Sequence, residues 1–355
     1  MNLRGTRIMS AAASFPPDTL AIEAWARWKG GNRTVSVTVS RETLPDSEPA
    51  AGLLRSPAPR RVAYDSNEFI PVAVELPDTS VPRETGPLPV PDATRVIVVA
   101  NQKGGVGKTT TAVNLAAGLA EGGLSVLVID LDPQGNASTA LGIEHAAGVR
   151  GTYEVLIDSE PIEQHVQLSP EATQLWVLPA TIDLAGAEIG LVDVAGRESR
   201  LLRALDQFLA RHRFDYVFID CPPSLGLLTL NALVAAEELL VPIQCEYYAL
   251  EGVSQLLRTI DLVKGSMNDR LRLSTIVLTM YDARTRLSAQ VASEVRTHFA
   301  AETLNSVIPR SVRVSEAPSY GQTVLGYHRA SAGAQAYVAA AHELAHRGVT
   351  TKGRP

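Results

Sequence analysis

The stretch from Val96 to Asp132 constrains the fold of this chain more than any other. It begins with an apolar run that ends at Ala100, which is typical of a strand covered on both faces of a sheet. A glycine-rich segment follows, and apolar residues then recur at helical spacing from Ala112 to Leu119. Two glycines end the predicted helix, and a second apolar run follows them. Strand, glycine loop, helix and strand in this order predict a βαβ unit with an anion-binding loop at its first turn.

The glycine loop contains the residue types that bind a triphosphate. Three glycines lack a Cβ, so backbone N–H groups can approach phosphate oxygens, and the next helix adds its positive N-terminal end. We expect Lys108 to place its ammonium on the β and γ phosphates and the Thr109 hydroxyl to bind Mg²⁺. A turn that merely connects strand and helix explains Gly-Lys-Thr poorly. The predicted nucleotide-binding residues of the loop are Lys103, Gly104, Gly105, Val106, Gly107, Lys108, Thr109 and Thr110.

The loop departs from the general phosphate-loop pattern at Gln102, where that pattern has glycine. Lys103 follows, so the loop has two lysines. A second ammonium cannot easily fold back onto a site that Lys108 already fills. Our hypothesis is that Lys103 reaches the phosphates of a partner subunit and takes part in catalysis there. The alternative is a solvated surface lysine.

Asp220 ends another apolar strand, at the edge where open α/β sheets bind their ligands. Its position predicts a Mg²⁺ ligand that acts through a water molecule. Strands alternate with helices through the rest of the chain, which predicts an α/β fold: a mostly parallel, twisted sheet with helices on both faces. Later predicted strands are 175–179, 239–243 and 273–279; later predicted helices are 251–267, 287–300 and one capped by Ser331.

Composition divides the chain into three parts. Residues 1–92 are rich in proline with mixed charges, which predicts a largely disordered N-terminal extension. Residues 93–348 form the predicted domain, in which 139–171 is a poorly patterned connection, and 349–355 are a tail. The extension could dock a partner, but its composition favours an untidy tail or a start codon placed too early.

Charge and apolar content exclude several classes of protein. The net charge of −6 excludes a globally basic nucleic-acid binder, so any DNA contact needs a local patch. The two cysteines lack metal-site spacing and are expected to be reduced thiols. No apolar run approaches the roughly 18 residues of a membrane span, and the N-terminus has no signal-peptide pattern. These features predict a cytoplasmic protein.

Several separated segments resemble the ParA/MinD ATPases, and in particular the ParA (Soj) branch. Residues 103–110 resemble the deviant Walker A box of these proteins. The other similar segments are 131–136, 218–224, 246–252, 279–285, 308–310 and 312–318. The resemblance extends from about Arg95 to about His346. It implies a P-loop NTPase fold of the deviant Walker A type with ATP and Mg²⁺ as cofactors.

The resemblance also implies roles for individual residues. Asp132 would orient or activate the attacking water, and Asp130 would support the metal site, although a strand-end cap explains Asp130 equally well. Lys103 would cross to the partner within an ATP sandwich dimer. Residues 308–311 would lie along the adenine, although Ser311 stands where the family usually has asparagine. The nucleotide contacts implied outside the phosphate loop are Met280, Pro309, Arg310 and Ser311.

The implied function is an ATP-dependent DNA-partitioning switch for a chromosome or plasmid. The ATP-bound homodimer would bind DNA nonspecifically at the nucleoid, and a ParB-type partner would stimulate hydrolysis and release. Arg284, Arg310 and Arg313 would contact DNA phosphates, or else form ordinary surface ion pairs. A ParA-like positioner of another cargo remains an alternative. A MinD-like division-site ATPase is a weaker one, because the tail cannot form the apolar face of a membrane helix.

Overall fold

The computed structural model describes residues 87–246 and 249–348. The predicted disordered extension therefore lies outside the described residues up to position 86, as does the predicted tail from position 349. No helix within the described ranges has the length and apolar character needed to cross a bilayer.

Eight strands in the described part form one sheet, in the order β3-β4-β2-β5-β1-β6-β7-β8. All neighbouring strands pair in parallel except β3, which pairs antiparallel with β4 at one edge. The strands are β1 (Arg95–Val99), β2 (Val126–Asp130), β3 (Gln167–Leu168), β4 (Leu175–Leu178), β5 (Tyr216–Asp220), β6 (Glu238–Gln244), β7 (Arg272–Tyr281) and β8 (Thr303–Pro309).

Helices connect the parallel strands and cover the sheet. They are α1 (Lys108–Glu121), α2 (Asn136–Ala140), α3 (Thr152–Ile157), α4 (Ala187–Gly190), α5 (Arg200–Leu209), α6 (Leu227–Ala235), α7 (Ala249–Ser266), α8 (Arg286–His298), α9 (Val312–Glu316), α10 (Val324–Tyr327) and α11 (Ala332–Arg347). Short 3-10 helices cover Ile162–Gln164, Ile182–Gly186, Arg197–Ser199 and Ala317–Tyr320.

The central strands are buried because helices lie against both faces of the sheet. Ile97 and Val99 belong to the apolar core beneath α1 and α11, whereas α6 and α7 pack against β1 and β6. Helix α11 lies so close to α1 that a Cβ on Gly118 would come within 2.9 Å of the Ala341 Cβ. The predicted α/β architecture is confirmed.

Most predicted elements lie within one or two residues of their predicted bounds, and local contacts explain the differences. The Thr285 hydroxyl accepts a hydrogen bond from the Ser288 N–H, so α8 begins at Arg286. Strand β7 extends to Tyr281 because, beyond its last pair with β6 at Thr279, Tyr281 pairs with Pro309 of β8. The Ser331 cap of the last helix is confirmed.

The prediction of a poorly patterned connection over 139–171 missed four short elements. The region contains the end of α2, all of α3, the 3-10 helix Ile162–Gln164 and the two-residue strand β3. A two-residue strand has no room for hydrophobic alternation, and its pairing with β4 depends on tertiary contacts.

The proline-rich segment ends by packing against the domain. Leu88 is 5% exposed and belongs to the apolar core, and its N–H donates to the Gly122 carbonyl at 3.1 Å. A Cβ on Gly122 would lie 2.3 Å from the Leu88 side chain, so this contact requires glycine at position 122. Leu88 therefore closes the C-terminal end of α1.

Candidate nucleotide site

The predicted site residues lie at one edge of the sheet. All the strands of this sheet except β3 run in parallel, so the segments that follow β1, β2, β5, β6, β7 and β8 emerge at the same edge. The phosphate loop follows β1, which lies between β5 and β6. Asp220 ends β5, and Asp130 ends β2 directly opposite it in the strand register. The topology thus brings the loop and the carboxylates together.

The phosphate loop has the backbone conformation that its glycines predict. Gly105 and Gly107 have φ values of 74° and 88°, in the left-handed region that favours glycine. Gly107 is the N-cap of α1, so the free N–H groups at the start of a 14-residue helix face the loop. The Thr279 hydroxyl donates to the Val106 carbonyl at 2.8 Å, which ties the loop to β7. The loop is thus held as a cradle of the kind that can bind an anion.

Lys108 is a buried ammonium inside this cradle. Its side chain reaches the Lys103 carbonyl, with the two atoms 3.3 Å apart. Burial lowers the pKa of Lys108, while nearby Asp220, Cys221 and Asp132 partly offset that effect. An ammonium that burial disfavours gains from any anion placed beside it.

Asp220 is a fully buried carboxylate with unmet hydrogen-bonding capacity. Neither of its oxygens receives a hydrogen bond of ordinary geometry from the described residues, although the Thr109 hydroxyl lies nearby. Burial and then Asp130 raise its pKa well above the usual range. A buried carboxylate without partners fits a divalent cation, because the cation would supply the missing charge. Thr109 and Asp220 are therefore the residues that fit Mg²⁺.

Asp130 is buried as well, but its carboxylate already accepts hydrogen bonds. Oδ2 accepts from the backbone N–H and hydroxyl of Ser138, both at 2.8 Å, and Oδ1 accepts from the Asp132 N–H at 3.1 Å. Burial nevertheless raises the pKa of Asp130 to about 6. These bonds fix the loop after β2, so the contacts favour the strand-end structural role over direct metal binding for Asp130.

Asp132 lies on that loop and is 8% exposed. Its Oδ1 accepts a hydrogen bond from the Gln134 N–H at 3.0 Å, which turns the chain toward Gly135. Gly135 has a φ of 62° and caps the short helix α2. The carboxylate is thus placed beside the phosphate loop by a rigid turn.

Lys103 is not a freely solvated side chain in this structure. Its Nζ lies 3.5 Å from Oε2 of Glu246, which is the second residue after the end of β6. Glu246 also pairs with Arg310 at 3.1 Å. The two ion pairs join the phosphate loop to the predicted adenine segment.

The predicted adenine segment lies at the same edge. The Arg310 N–H donates to the Tyr281 carbonyl at 3.0 Å, so the chain after β8 stays beside the end of β7. Met280 has a φ of 51°, a conformation that methionine rarely adopts. Ser311 is the N-cap of α9, without a side-chain capping bond.

Each arginine predicted to contact DNA forms an exposed ion pair. Arg284 pairs with Asp282 at 2.8 Å and Arg313 with Glu316 at 2.9 Å, while Arg310 pairs with Glu246 as above. The Arg284 guanidinium lowers the pKa of Asp282 to about 2. The three arginines thus form the surface ion pairs that were the alternative to DNA contacts, and DNA binding stays a prediction.

Three further residues support the site without having been predicted. The Asn101 side chain donates a hydrogen bond to the Pro242 carbonyl and accepts one from the Lys103 N–H. Thr279 holds the phosphate loop, and Ser138 holds the carboxylate of Asp130. Their role depends on strands that are neighbours only in the folded sheet. No local sequence pattern assigns them this supporting role, although Thr279 begins one of the segments that resemble the family.

Comparisons with known proteins agree with this geometry. A family model described as an AAA domain matches residues 94–273. The chain is 52% identical over 253 residues to the chromosome partitioning protein ParA of Caulobacter vibrioides, covering 71% of this chain and 94% of that protein. It is 50% identical over 254 residues to the sporulation initiation inhibitor protein Soj of Bacillus subtilis, covering 72% of this chain and 99% of that one.

Solved structures with nucleotide and magnesium are similar in fold. Cobyrinic acid a,c-diamide synthase from Mycobacterium smegmatis, with bound ADP and magnesium, is 42% identical over 71% of this chain and 94% of its own, with a TM-score of 0.61. The septum site-determining protein MinD from Pyrococcus horikoshii, complexed with Mg-ADP, is 25% identical over 71% of this chain and 96% of its own, with a TM-score of 0.58.

Proposed function

The chain belongs to the ParA/Soj family of chromosome-partitioning ATPases, and on that premise we propose that it hydrolyses Mg²⁺-ATP to ADP and phosphate and binds DNA as an ATP-dependent homodimer. The observation that supports the nucleotide chemistry best is the pairing of a buried, unpartnered Asp220 with a buried Lys108 at the start of α1. The Asp220 oxygens lack hydrogen-bond partners among the described residues, and the burial of Lys108 is only partly offset by nearby carboxylates, so a metal–triphosphate complex would supply interactions that both side chains lack.

The site residues would act by positioning and by neutralising charge. The N–H groups of the glycine loop and Lys108 would hold the phosphates, while Thr109 and, through a water molecule, Asp220 would hold the metal. When bound, Mg²⁺ neutralises charge that develops on the phosphate oxygens. Asp132 orients a water molecule whose oxygen bonds to the γ-phosphorus as the bond to the bridging oxygen breaks, which releases ADP and phosphate.

Hydrolysis by a lone protomer is expected to be slow. In the free protomer, the Lys103 ammonium lies against Glu246 rather than over the phosphate loop. The second positive charge at the phosphates would come from Lys103 of a partner subunit. Dimer formation therefore completes the site, and a ParB-type partner would stimulate hydrolysis further and cause release from DNA.

DNA binding is proposed to use Arg284, Arg310 and Arg313 of the dimer. The side chains of these arginines are 87%, 58% and 51% exposed, so DNA phosphates can reach them by displacing weak surface partners. Such contacts would be independent of sequence and sensitive to salt. We propose that the protein acts at the nucleoid. Relatives that are about half identical are named for chromosome partitioning, which favours this cargo over others.

The test measures retention of the full chain on double-stranded DNA without nucleotide, with ADP and with a slowly hydrolysed ATP analogue. We expect retention with the ATP analogue alone, at similar strength on unrelated sequences. Arg284→Glu combined with Arg313→Glu should abolish retention but preserve nucleotide-dependent dimerisation. The matched control is Arg270→Glu with Arg211→Glu, which changes two exposed, ion-paired arginines elsewhere in the domain. Equal DNA retention with and without nucleotide would contradict the proposal.

A further inference from the structure

Lys103 forms an ion pair with Glu246 of its own chain, although its proposed role is to contact the phosphates bound by a partner subunit. Its ammonium nitrogen lies 3.5 Å from Glu246 Oε2, and the two side chains are 35% and 44% exposed. One ammonium cannot pair closely with this carboxylate and also reach the phosphates of a partner subunit. The ion pair within the protomer therefore competes with the contact between protomers.

The carboxylate of Glu246 is held in place from its other side. Its Oε1 accepts hydrogen bonds from the Gln244 amide at 2.6 Å and from the Arg310 guanidinium at 3.1 Å. Gln244 is the last residue of β6, and Arg310 follows the last residue of β8. These two donors orient the carboxylate so that Oε2 faces the lysine. Glu246 is thus a fixed anchor between two strand ends.

The backbone of Lys103 is fixed as well. Its N–H donates to Asn101 Oδ1 at 3.0 Å, and the Asn101 amide donates to the Pro242 carbonyl of β6 at 2.9 Å. Its carbonyl is 3.3 Å from the Lys108 ammonium. Because the backbone is tied at both ends, rotation of the Lys103 side chain is enough to break the ion pair while the phosphate loop keeps its shape.

We propose that Glu246 is a positioning residue that holds Lys103 within its own protomer and so sets how readily the ATP-bound dimer forms. This inference rests on the proposed role of Lys103 at the partner's phosphates. A triphosphate offers an ammonium more negative charge than one carboxylate does, so a partner loaded with ATP displaces Glu246. A diphosphate lacks the γ-phosphate and competes less well. The ion pair thereby suppresses dimers that lack ATP.

The size of the effect follows from the exposure of the pair. Exposed ion pairs change an equilibrium by a factor of roughly 1.4 to 5. A symmetric dimer breaks two such pairs, so their removal should raise the dimer association constant by roughly two- to thirtyfold. Salt screens exposed charges, so the difference should shrink as ionic strength rises.

The experiment compares the full chain with its Glu246→Gln variant by sedimentation velocity, in a slowly hydrolysed ATP analogue with Mg²⁺. The matched control is Glu237→Gln, because Glu237 forms an exposed ion pair with Arg270 next to the first residue of β6, at the far end of that strand. We expect Glu246→Gln to form dimers at a lower protein concentration than the wild type, and Glu237→Gln to match the wild type. The advantage of Glu246→Gln should shrink between low and high salt, which loss of mere structural support would not produce.

Unchanged or weaker dimerisation of Glu246→Gln, beside a wild type that dimerises, would overturn the role of Glu246 and leave the proposed function standing. If neither protein dimerises, the role of Lys103 between subunits fails, and the inference fails with it. If Glu246→Gln forms dimers under conditions in which the wild type does not, the result would support the proposal that Glu246 restrains Lys103.

Discussion

Asp220→Asn should stabilise the nucleotide-free protein and, at the same time, remove its Mg²⁺-dependent response to nucleotide. Asp220 is fully buried, its oxygens lack well-formed hydrogen bonds from the described residues, and Asp130 lies opposite it on β2. Asparagine has nearly the same shape and no charge. The substitution therefore removes the unfavourable charge while leaving β5 in place.

The magnitude follows from the burial of this carboxylate. A buried polar group without a partner costs about 1–3 kcal/mol, and a charged group costs more. Asparagine keeps the cost of a buried polar group but not the additional cost of charge. The free energy of unfolding at pH 7 should therefore rise by about 1.4 kcal/mol for each unit by which burial raises the pKa of Asp220. In a domain of this size each kcal/mol raises Tm by roughly 2–4 °C.

The dependence on pH has a definite sign. Burial raises the pKa of Asp130 from 3.8 to about 6, and it raises that of Asp220 well above its usual range. Both groups ionise more readily in the unfolded chain, so the free energy of unfolding falls as pH rises from the unfolded pKa to the folded pKa. For Asp130 this fall lies between about pH 4 and 6 and amounts to about 3 kcal/mol. Asp220→Asn removes the part of the pH dependence that comes from Asp220, so the free energy of unfolding of the variant should depend less on pH than that of the wild type.

The assay is thermal unfolding of wild type and variant at several pH values, with and without Mg²⁺-ADP. The exposed Asp269 gives the matched control, and Asp269→Asn should follow the wild type. Nucleotide at a hundred times its Kd should stabilise the wild type by about 2.7 kcal/mol. The variant should lose the Mg²⁺-dependent part of that gain. A less stable nucleotide-free variant that keeps the full response to Mg²⁺ would refute the reasoning.

Four other changes have definite expected outcomes. Asp132→Ala should retain nucleotide but lose hydrolysis, so the protein stays on DNA in pull-down assays with ATP; normal turnover would remove Asp132 from the mechanism. Asp282→Asn frees the Arg284 guanidinium and should tighten DNA binding roughly two- to fivefold in fluorescence anisotropy; weaker binding would place the DNA contact elsewhere. A chain that starts at Pro87 should keep ATPase activity. Leu88→Ala in the full chain should lower the free energy of unfolding by about 2–5 kcal/mol in denaturant titrations. If the variant is as stable as the wild type, Leu88 adds little to the core.

The sequence predicted the parts of the molecule that depend on short contiguous patterns. The glycine loop, the apolar strands and the carboxylate that ends β5 each occupy a few adjacent residues. Parallel topology then brings these residues to one edge of the sheet without further information. Their roles in binding and catalysis remain proposals.

Contacts between distant segments escaped sequence reasoning. Glu246 contacts Lys103 and Arg310 because β1, β6 and β8 end at the same edge of the sheet, with β7 between the last two, and no spacing in the sequence encodes these contacts. The two-residue strand β3 is too short for a pattern. Leu88 lies in a proline-rich segment whose average composition predicts disorder, and yet this one side chain packs in the core.

The most direct test of the central claim mixes two variants that are inactive alone. Lys103→Ala lacks the lysine that should cross between subunits, and Asp132→Ala lacks the group that should orient water. In a mixed dimer, the site of the Lys103→Ala protomer keeps its own Asp132 and receives Lys103 from its partner. If Lys103 acts between subunits, mixing restores ATP hydrolysis. If Lys103 acts within its own protomer, every site in the mixture lacks an essential group, and hydrolysis stays absent although mixed dimers form.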